Sequence, residues 1–258
     1  MRIKFLLAFA LICVVVYTVG ALALYNYQRK MLYIPSPEYA HEFESLELQN
    51  GQEILKVAVL NSGQSRAIIY FGGNAEAVIF NAEPFLKHFR NYTVYLANYR
   101  GYGGSTGSPS ELGLYSDSLA LYDQVRTKHE SISLMGRSLG SGVAAFLGSQ
   151  RRVSQLALIT PYDSIENVAQ AHVPIYPVGL LIKDKYDSVE KAARVSAQVL
   201  IVMAELDLII PNSHSIKLLE AFKQEQVSTL IIKGANHNNV SLDPEYYPRL
   251  KRFFDSEL

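Results

Sequence analysis

The stretch Ser131-Ile-Ser-Leu-Met-Gly-Arg-Ser-Leu-Gly-Ser-Gly142 decides how this chain of 258 residues is interpreted. A short apolar run ends at Met135, a glycine-flanked turn follows, and residues 143–150 are small and helix-prone. This order predicts a strand, a tight turn and a helix, with the pattern G-x-S-x-G in the turn. Glycine two positions to either side leaves room for a serine on a strained turn. We therefore expect the Ser138 hydroxyl above a strand end, and the Leu139 N–H at a helix start, where it meets a developing oxyanion.

Composition narrows the class of protein. Lys and Arg together number 24, as do Asp and Glu, so the formal net charge is zero. With no long basic run, the sequence does not indicate a nucleic-acid partner. The single cysteine, Cys13, excludes a disulfide within the chain, and its apolar surroundings disfavour a catalytic thiolate. The length suits one α/β domain with a large core.

The N-terminal segment predicts a membrane anchor. Residues 5–24 read FLLAFALICVVVYTVGALAL and carry no charge, and about 20 apolar residues span a bilayer as a helix. A cleaved signal peptide is the alternative, with Ala21-Leu22-Ala23 as the cleavage box. The run exceeds the ~7–15 apolar residues of a signal peptide, which favours a retained single-pass anchor in a lipid bilayer. A slight excess of positive charge before the run predicts a catalytic domain on the translocated side.

The pattern predicts an anchor and the start of a linker at residues 1–30, followed by one domain at residues 31–258. The linker as a whole is predicted at residues 25–39. A hairpin and then alternating strands and helices predict an α/β fold with a mostly parallel sheet covered on both faces. Residues 163–197 form the longest insertion between strands and are expected to be a small cap. Strands are predicted at residues 43–48, 54–60, 67–71, 92–97, 132–135, 155–159, 199–203 and 229–232, and helices at 75–89, with Pro84 as a kink or boundary, 112–128, 213–222 and 244–254.

A base and an orienting carboxylate for Ser138 are expected at the same edge of the sheet. Nucleophilic catalysis by serine needs both groups, and residues just after parallel strands converge although they are far apart in sequence. Asp207 follows the strand at residues 199–203, and His237 follows the strand at 229–232. Asp163, after the strand at 155–159, is the alternative acid. The other histidines precede Ser138, lie in the insertion, or follow Asp207 too closely.

The second oxyanion donor is expected in the loop Phe71-Gly-Gly-Asn-Ala-Glu76. Paired glycines let a backbone approach a substrate closely, and the following N–H groups open a predicted helix. The donor is the N–H of Asn74 or of Ala75, and Asn74 is favoured.

Together these motifs resemble the α/β-hydrolase superfamily, in particular a membrane-anchored subgroup of alpha/beta-hydrolase-domain proteins that includes acyl-protein thioesterases. The resemblance implies an α/β-hydrolase fold and an enzyme that cleaves esters or thioesters of acylated small molecules, lipids or proteins, with no cofactor or metal. Two departures stand out: Gly72 replaces a usual His in the oxyanion loop, and Ala204 replaces a usual Gly. The matching pieces are residues 28–35, 73–75, 98–107, 136–142, 160–166, 184–188, 205–211 and His237.

Three alternatives remain open. Residues 140–145 match the dinucleotide pattern G-x-G-x-x-[GA], with Asp163 at the spacing of a ribose-binding acid, as in a nucleotide-binding oxidoreductase. The fingerprint normally follows the first strand of its unit, whereas four predicted strands precede it here. A serine peptidase or amidase on the same fold is the second alternative. The third is a non-catalytic, membrane-tethered binding protein.

Overall fold

The computed structural model describes residues 2–256. Within this range eight strands form one sheet in the order β1-β2-β4-β3-β5-β6-β7-β8. The strands are β1 Glu44–Asn50, β2 Glu53–Leu60, β3 Arg66–Phe71, β4 Tyr92–Ala97, β5 Ser131–Arg137, β6 Gln155–Ile159, β7 Gln198–Ala204 and β8 Val227–Ile232.

The same described range contains nine α-helices, with short 3₁₀ turns between some of them. They are α1 Arg2–Leu32, α2 Ala82–His88, α3 Glu111–Val125, α4 Leu139–Gln150, α5 Ile165–His172, α6 Val178–Leu181, α7 Ser188–Ala192, α8 Asn212–Ala221 and α9 Tyr246–Asp255.

Strand direction gathers the loops that matter at one edge. Strand β1 pairs antiparallel with β2, and β2 pairs antiparallel with β4, as the predicted hairpin requires. All pairings from β4 through β3 to β8 are parallel. The carboxyl ends of six strands therefore share one edge, which we call the site edge, and this is where ligands bind in open α/β sheets.

Each face of the sheet packs into its own apolar core. Along β3, Ile69 belongs to the core beneath α3, α4, α7 and α8, whereas Ile68 belongs to the core beneath α2 and α9. Successive side chains point to opposite faces of a strand, so a strand covered on both faces is expected to be mostly apolar. Strands β4 and β6 are buried at every position. The predicted sheet with helices on both faces is confirmed.

The predicted helix at residues 75–89 is wrong at its start. The loop after β3 continues past Ala75, which has a left-handed φ of 58°. A 3₁₀ turn covers Val78–Asn81, and α2 begins only at Ala82. Pro84 thus lies in the first turn of α2, where a missing N–H is tolerated, and does not kink the helix.

The predicted linker is wrong for residues 25–32, because α1 continues without a break to Leu32. Among residues 2–256, α1 is the helix long and apolar enough to cross a membrane. After it ends, the buried Tyr33 hydrogen-bonds with Tyr186 at 2.9 Å between their hydroxyl oxygens. Tyr186 lies in the insertion of residues 163–197, which holds α5, α6 and α7 and which we call the cap. The end of α1 is therefore fastened to the domain.

Candidate active site

Ser138 occupies a strained turn between β5 and α4. Its backbone has φ 49° and ψ −116°, a region that costs a non-glycine residue on the order of 1–3 kcal/mol. A Cβ at Gly136 would collide with the carbonyl oxygen of Gly140, and one at Gly140 would collide with that of Phe71. Both glycines are therefore required by close backbone packing, which is the reason that the sequence pattern indicated.

The structure brings Ser138, His237 and Asp207 together at the site edge. The distance from His237 Nε2 to Ser138 Oγ is 2.8 Å, and that from His237 Nδ1 to Asp207 Oδ2 is 2.7 Å. The Asp207 and His237 side chains are only 1% and 7% exposed. An ionised carboxylate only accepts hydrogen bonds, so Nδ1 carries the proton and Nε2 accepts from the serine hydroxyl.

Backbone groups fix the Asp207 carboxylate in this orientation. Its Oδ1 accepts hydrogen bonds from the N–H groups of Ile209 at 3.0 Å and Ile210 at 2.8 Å. Oδ2 is thereby left facing the imidazole. The arrangement can move a proton from the serine hydroxyl to His237 while Asp207 holds the ring.

The loop after β3 passes directly against the serine. A Cβ at Gly73 would lie 3.6 Å from Ser138 Cβ. The Gly73 N–H donates to Glu76 Oε2 at 2.7 Å, and the Ala75 N–H donates to Asn74 Oδ1 at 3.1 Å. Of the N–H groups of residues 73–75, two are thus engaged. This favours the Asn74 N–H as the second oxyanion donor predicted in addition to the Leu139 N–H.

The Asn74 side chain joins the loop to the end of α1. Its Nδ2 donates to the Leu32 carbonyl at 2.6 Å, and its Oδ1 accepts from the Ile34 N–H and the Tyr102 hydroxyl, both at 2.9 Å. Sequence reasoning gave Asn74 only a backbone role and missed this function of its amide. The position of an amide directly after two glycines was the available signal.

A partly buried ion pair next to the site was also missed. Arg137 Nη1 contacts Glu76 Oε2 at 3.1 Å, and Arg137 Nη2 donates to the His237 carbonyl at 3.4 Å. Burial acts to lower the pKa of Arg137, but the charge and hydrogen bond of Glu76, together with Tyr70 and Tyr246, outweigh it and leave that pKa above its usual value. Glu76 also accepts from the Tyr70 hydroxyl at 2.6 Å. The pair thus links the oxyanion loop, the serine turn and the histidine loop.

Gly72 is compatible with this loop although a histidine is usual there. The Gly72 carbonyl accepts from the Tyr99 hydroxyl at 2.7 Å. A Cβ at Gly72 would lie 2.6 Å from a Val78 methyl group, closer than the packing permits. The loop is therefore held by Tyr99 and Glu76.

The alternative acid, Asp163, has other partners. It is 1% exposed and accepts from His214 Nδ1 at 2.8 Å and Lys217 Nζ at 3.0 Å. Burial alone would raise the pKa of Asp163, but the hydrogen bonds from Lys217, His214, the Ser164 N–H and Asn167 together outweigh it and lower that pKa. These contacts also disfavour a ribose-binding role, as does Gly142, whose Cβ position is filled by the Tyr162 hydroxyl. Within residues 2–256, no group of three His, Cys, Asp or Glu side chains is placed to hold a metal ion.

Known proteins agree with this architecture. The esterase Pf2001 of Pyrococcus furiosus superimposes with a TM-score of 0.68 over 86% of this chain and 98% of that protein, at 15% identity. An uncharacterized protein of Mycobacterium tuberculosis is 31% identical over 238 residues, covering 86% of this chain and 83% of its own. Alpha/beta hydrolase domain-containing protein 17C of Xenopus tropicalis is 32% identical over 172 residues. The chain belongs to the α/β-hydrolase superfamily.

At the level of the superfamily, this membership confirms the recognition made from the motifs, and it supports the prediction of a hydrolase. The match to the Xenopus α/β-hydrolase covers 65% of this chain but only 54% of that relative, so the chain spans about half of its length. No family model matches the chain. The comparisons leave the substrate of this α/β-hydrolase and the roles of its site residues as predictions.

Proposed function

We propose that this α/β-hydrolase is a membrane-anchored serine hydrolase that cleaves carboxylic ester or acyl-thioester bonds. The observation that carries the proposal is the hydrogen-bonded chain from Ser138 through His237 to Asp207, with distances of 2.8 Å and 2.7 Å. A serine hydroxyl becomes a nucleophile when an adjacent base can take its proton.

The first half of the reaction forms an acyl-enzyme. His237 Nε2 takes the hydroxyl proton while Ser138 Oγ bonds to the carbonyl carbon of the substrate, whose oxygen becomes an oxyanion. The N–H groups of Leu139 and Asn74 stabilise that charge. Collapse of the intermediate breaks the bond to the leaving alcohol or thiol, which takes the proton from the imidazolium.

The second half releases the acid with water. His237 removes a proton from a water molecule, whose oxygen attacks the acyl carbon bound to Ser138. Collapse of the second intermediate returns the proton to Ser138 Oγ and frees the carboxylic acid. Asp207 stabilises the imidazolium in both halves of the reaction. All of these steps use only groups of the chain, the substrate and water.

The proposed location follows from α1. Its uncharged run at residues 5–24 matches the thickness of a bilayer, and the charge bias favours a catalytic domain on the translocated side. We expect the protein to resist extraction from membranes by carbonate. We also expect protease to digest the domain only when it is added on the translocated side. Release by carbonate would contradict the anchor, and protection from that protease would reverse the orientation.

The chemistry is tested by covalent labelling. A fluorophosphonate probe should label Ser138 in the wild-type chain, and Ser138→Ala should abolish labelling. Ser141→Ala is the matched control, because Ser141 lies in α4 with its hydroxyl donating to the Ser138 carbonyl at 2.6 Å. Labelling that survives Ser138→Ala would exclude Ser138 as the nucleophile. Turnover of p-nitrophenyl esters and acyl thioesters of graded chain length would then define the substrate.

A further inference from the structure

The part of the cap that follows α5 lies along α1, inside the predicted membrane span. The Tyr17 ring stacks on the Tyr176 ring with centroids 4.8 Å apart, and the Tyr17 hydroxyl donates to the Ile175 carbonyl at 3.0 Å. One turn further along α1, a Cβ at Gly20 would collide with the Tyr176 hydroxyl. These contacts fasten residues 173–182, which we call the cap tip, against residues 17–20 of α1.

Polar groups bind the two segments together at their other end. Gln28 Nε2 donates to the Leu181 carbonyl at 2.9 Å, and Gln28 Oε1 accepts from the Lys183 N–H at 2.6 Å. Arg29 holds Asp184 with two hydrogen bonds of 2.7 and 3.0 Å. An α-helix rises about 1.5 Å per residue, so these contacts lie about 17 Å along α1 from Tyr17.

Both segments change from apolar to charged at the same level. The cap tip reads VPIYPVGLLI and carries no charge until Lys183, just as α1 carries none from residue 5 to residue 24. The ammonium group of Lys183 lies 4.1 Å from the centroid of the Tyr25 ring, the first residue after that run. Aromatic and cationic side chains mark the boundary between bilayer and water.

The cap tip exposes large apolar side chains, and the contact with Tyr17 places Ile175 on the membrane side of this boundary. Ile175 is 71% exposed and Leu180 is 85% exposed. The neighbouring loop that carries Asp207 adds Leu208 at 87% exposure, and His172 Nε2 lies 3.3 Å from the carbonyl oxygen of Ile209 in that loop. Clustered exposed apolar side chains mark a membrane or binding surface.

A groove of about 330 Å³ separates the cap from α1, and its volume is within the range of small-ligand sites. One wall is α1, including the last residue of the uncharged run. Its apolar lining includes Leu24, Leu32, Val173, Leu181 and Ile182.

We propose that the cap tip enters the same leaflet as the end of the α1 span, and that the groove holds an acyl chain of a lipid from that leaflet. A lipid chain is the occupant because the α1 wall of the groove begins at Leu24, the last residue of the span, so this apolar groove opens where the lipid chains of the bilayer end. The inference rests on the proposed anchor and is independent of the catalytic chemistry.

Depth is measured on the full chain in phosphatidylcholine vesicles whose acyl chains carry a nitroxide quencher. In a Cys13→Ala background, bimane is attached at Ile175→Cys in the cap tip, at Phe9→Cys in the span, or at Ser65→Cys before β3, opposite the site edge. Strong quenching is expected at Ile175→Cys and Phe9→Cys but not at Ser65→Cys. Quenching at Phe9→Cys alone would place the cap tip in water and overturn the proposal, and no quenching at either would refute the anchor.

Occupancy of the groove is measured with a phosphatidylcholine that carries a diazirine on its acyl chain. Crosslinks in the wild-type chain should include Val178, Leu181 and Ile182, which line the groove, and the absence of crosslinks at these three residues would overturn the proposed occupant. Ala169→Trp fills the groove from α5 and should remove these crosslinks, whereas Ala171→Trp, exposed on the same helix, should retain them. Equal crosslinking in the two variants would contradict a chain in the groove.

Discussion

At the scale of single residues, two buried aspartates after adjacent strands differ chiefly in their partners. Asp207 follows β7 and meets His237, whereas Asp163 follows β6 and meets His214 and Lys217. Position after a strand made both acceptable as the orienting acid. The decision depends on side chains from α8 and from the loop after β8, whose approach the sequence pattern alone could not fix.

We expect Asp207→Asn to lower kcat by roughly 10²–10⁴, because an amide no longer holds the imidazole in the tautomer that accepts the serine proton. Asp163→Asn should change kcat far less, because Asp163 contacts no group of the proposed triad. Turnover of one soluble p-nitrophenyl ester by both variants checks the assignment. A larger loss of kcat from Asp163→Asn would transfer the role of orienting acid to Asp163.

The lowered pKa of Asp163 predicts a pH-dependent contribution to stability. A folded-state pKa below the unfolded value of about 3.9 means that the carboxylate stabilises the fold above that pH and loses this effect as the pH falls through the folded value. Asp163→Asn should therefore lower the Tm at pH 7 and approach the wild type below about pH 4. Thermal unfolding in detergent, followed by circular dichroism, measures this. A Tm difference that does not vary with pH would contradict the expected linkage.

Asn74→Ala removes the side-chain bonds that join the oxyanion loop to Leu32, Ile34 and Tyr102. The backbone donor remains but is held less firmly, so we expect kcat to fall about tenfold, less than the ~10²–10³ of losing a donor outright. Tyr102→Phe removes one of these bonds and should have a smaller effect in the same direction. A rise in KM with kcat unchanged would show that Asn74 contributes to substrate binding instead.

At the scale of elements, strands were easier to predict than helix boundaries. The parallel strands are short and mostly apolar runs, and residues 155–159 were predicted with the bounds that β6 has. The start of α2 was missed because the loop before it is held by long-range contacts instead of by helix signals. The Glu76–Arg137 pair joins residues 61 positions apart, and the Asn74–Leu32 bond joins residues 42 apart. No local pattern specifies such pairings.

The continuation of α1 to Leu32 was missed for the same reason, since its last turns depend on partners in the cap. Asp184 is buried and receives Arg29 from α1. We expect Arg29→Met to destabilise the domain by about 1–3 kcal/mol, the usual cost of leaving a buried acceptor unpaired. Lys30→Met is the matched control and should be near neutral. Urea unfolding of the full chain in detergent measures both, and equal effects would mean that the pair with Asp184 adds little.

At the scale of the whole molecule, anchor and catalytic domain can be separated only at a suitable residue. A chain that begins at Tyr25 lacks the apolar run but keeps Gln28 and Arg29 for the cap, whereas one that begins at Lys30 loses both. The Tyr25 chain should retain turnover of short soluble esters but lose the advantage of the full chain on long-chain acyl substrates in liposomes. Equal rates for the full chain and the Tyr25 chain on both substrates would show that the bilayer does not present the substrate.

The unbroken course of α1 leaves no slack between the proposed anchor and the site. A domain joined to its anchor by one continuous helix keeps a fixed height and a fixed orientation above the lipid surface. It therefore encounters substrate by lateral diffusion in the plane of the membrane. Two residues inserted between Leu24 and Gln28 would rotate the domain about the helix axis by about 200°. Seven inserted residues would nearly restore its orientation while raising it by about 10 Å. Substrate selection by such an enzyme would then depend on the distance of the scissile bond from the lipid surface. A bond held too far from that surface would stay intact however abundant the substrate was.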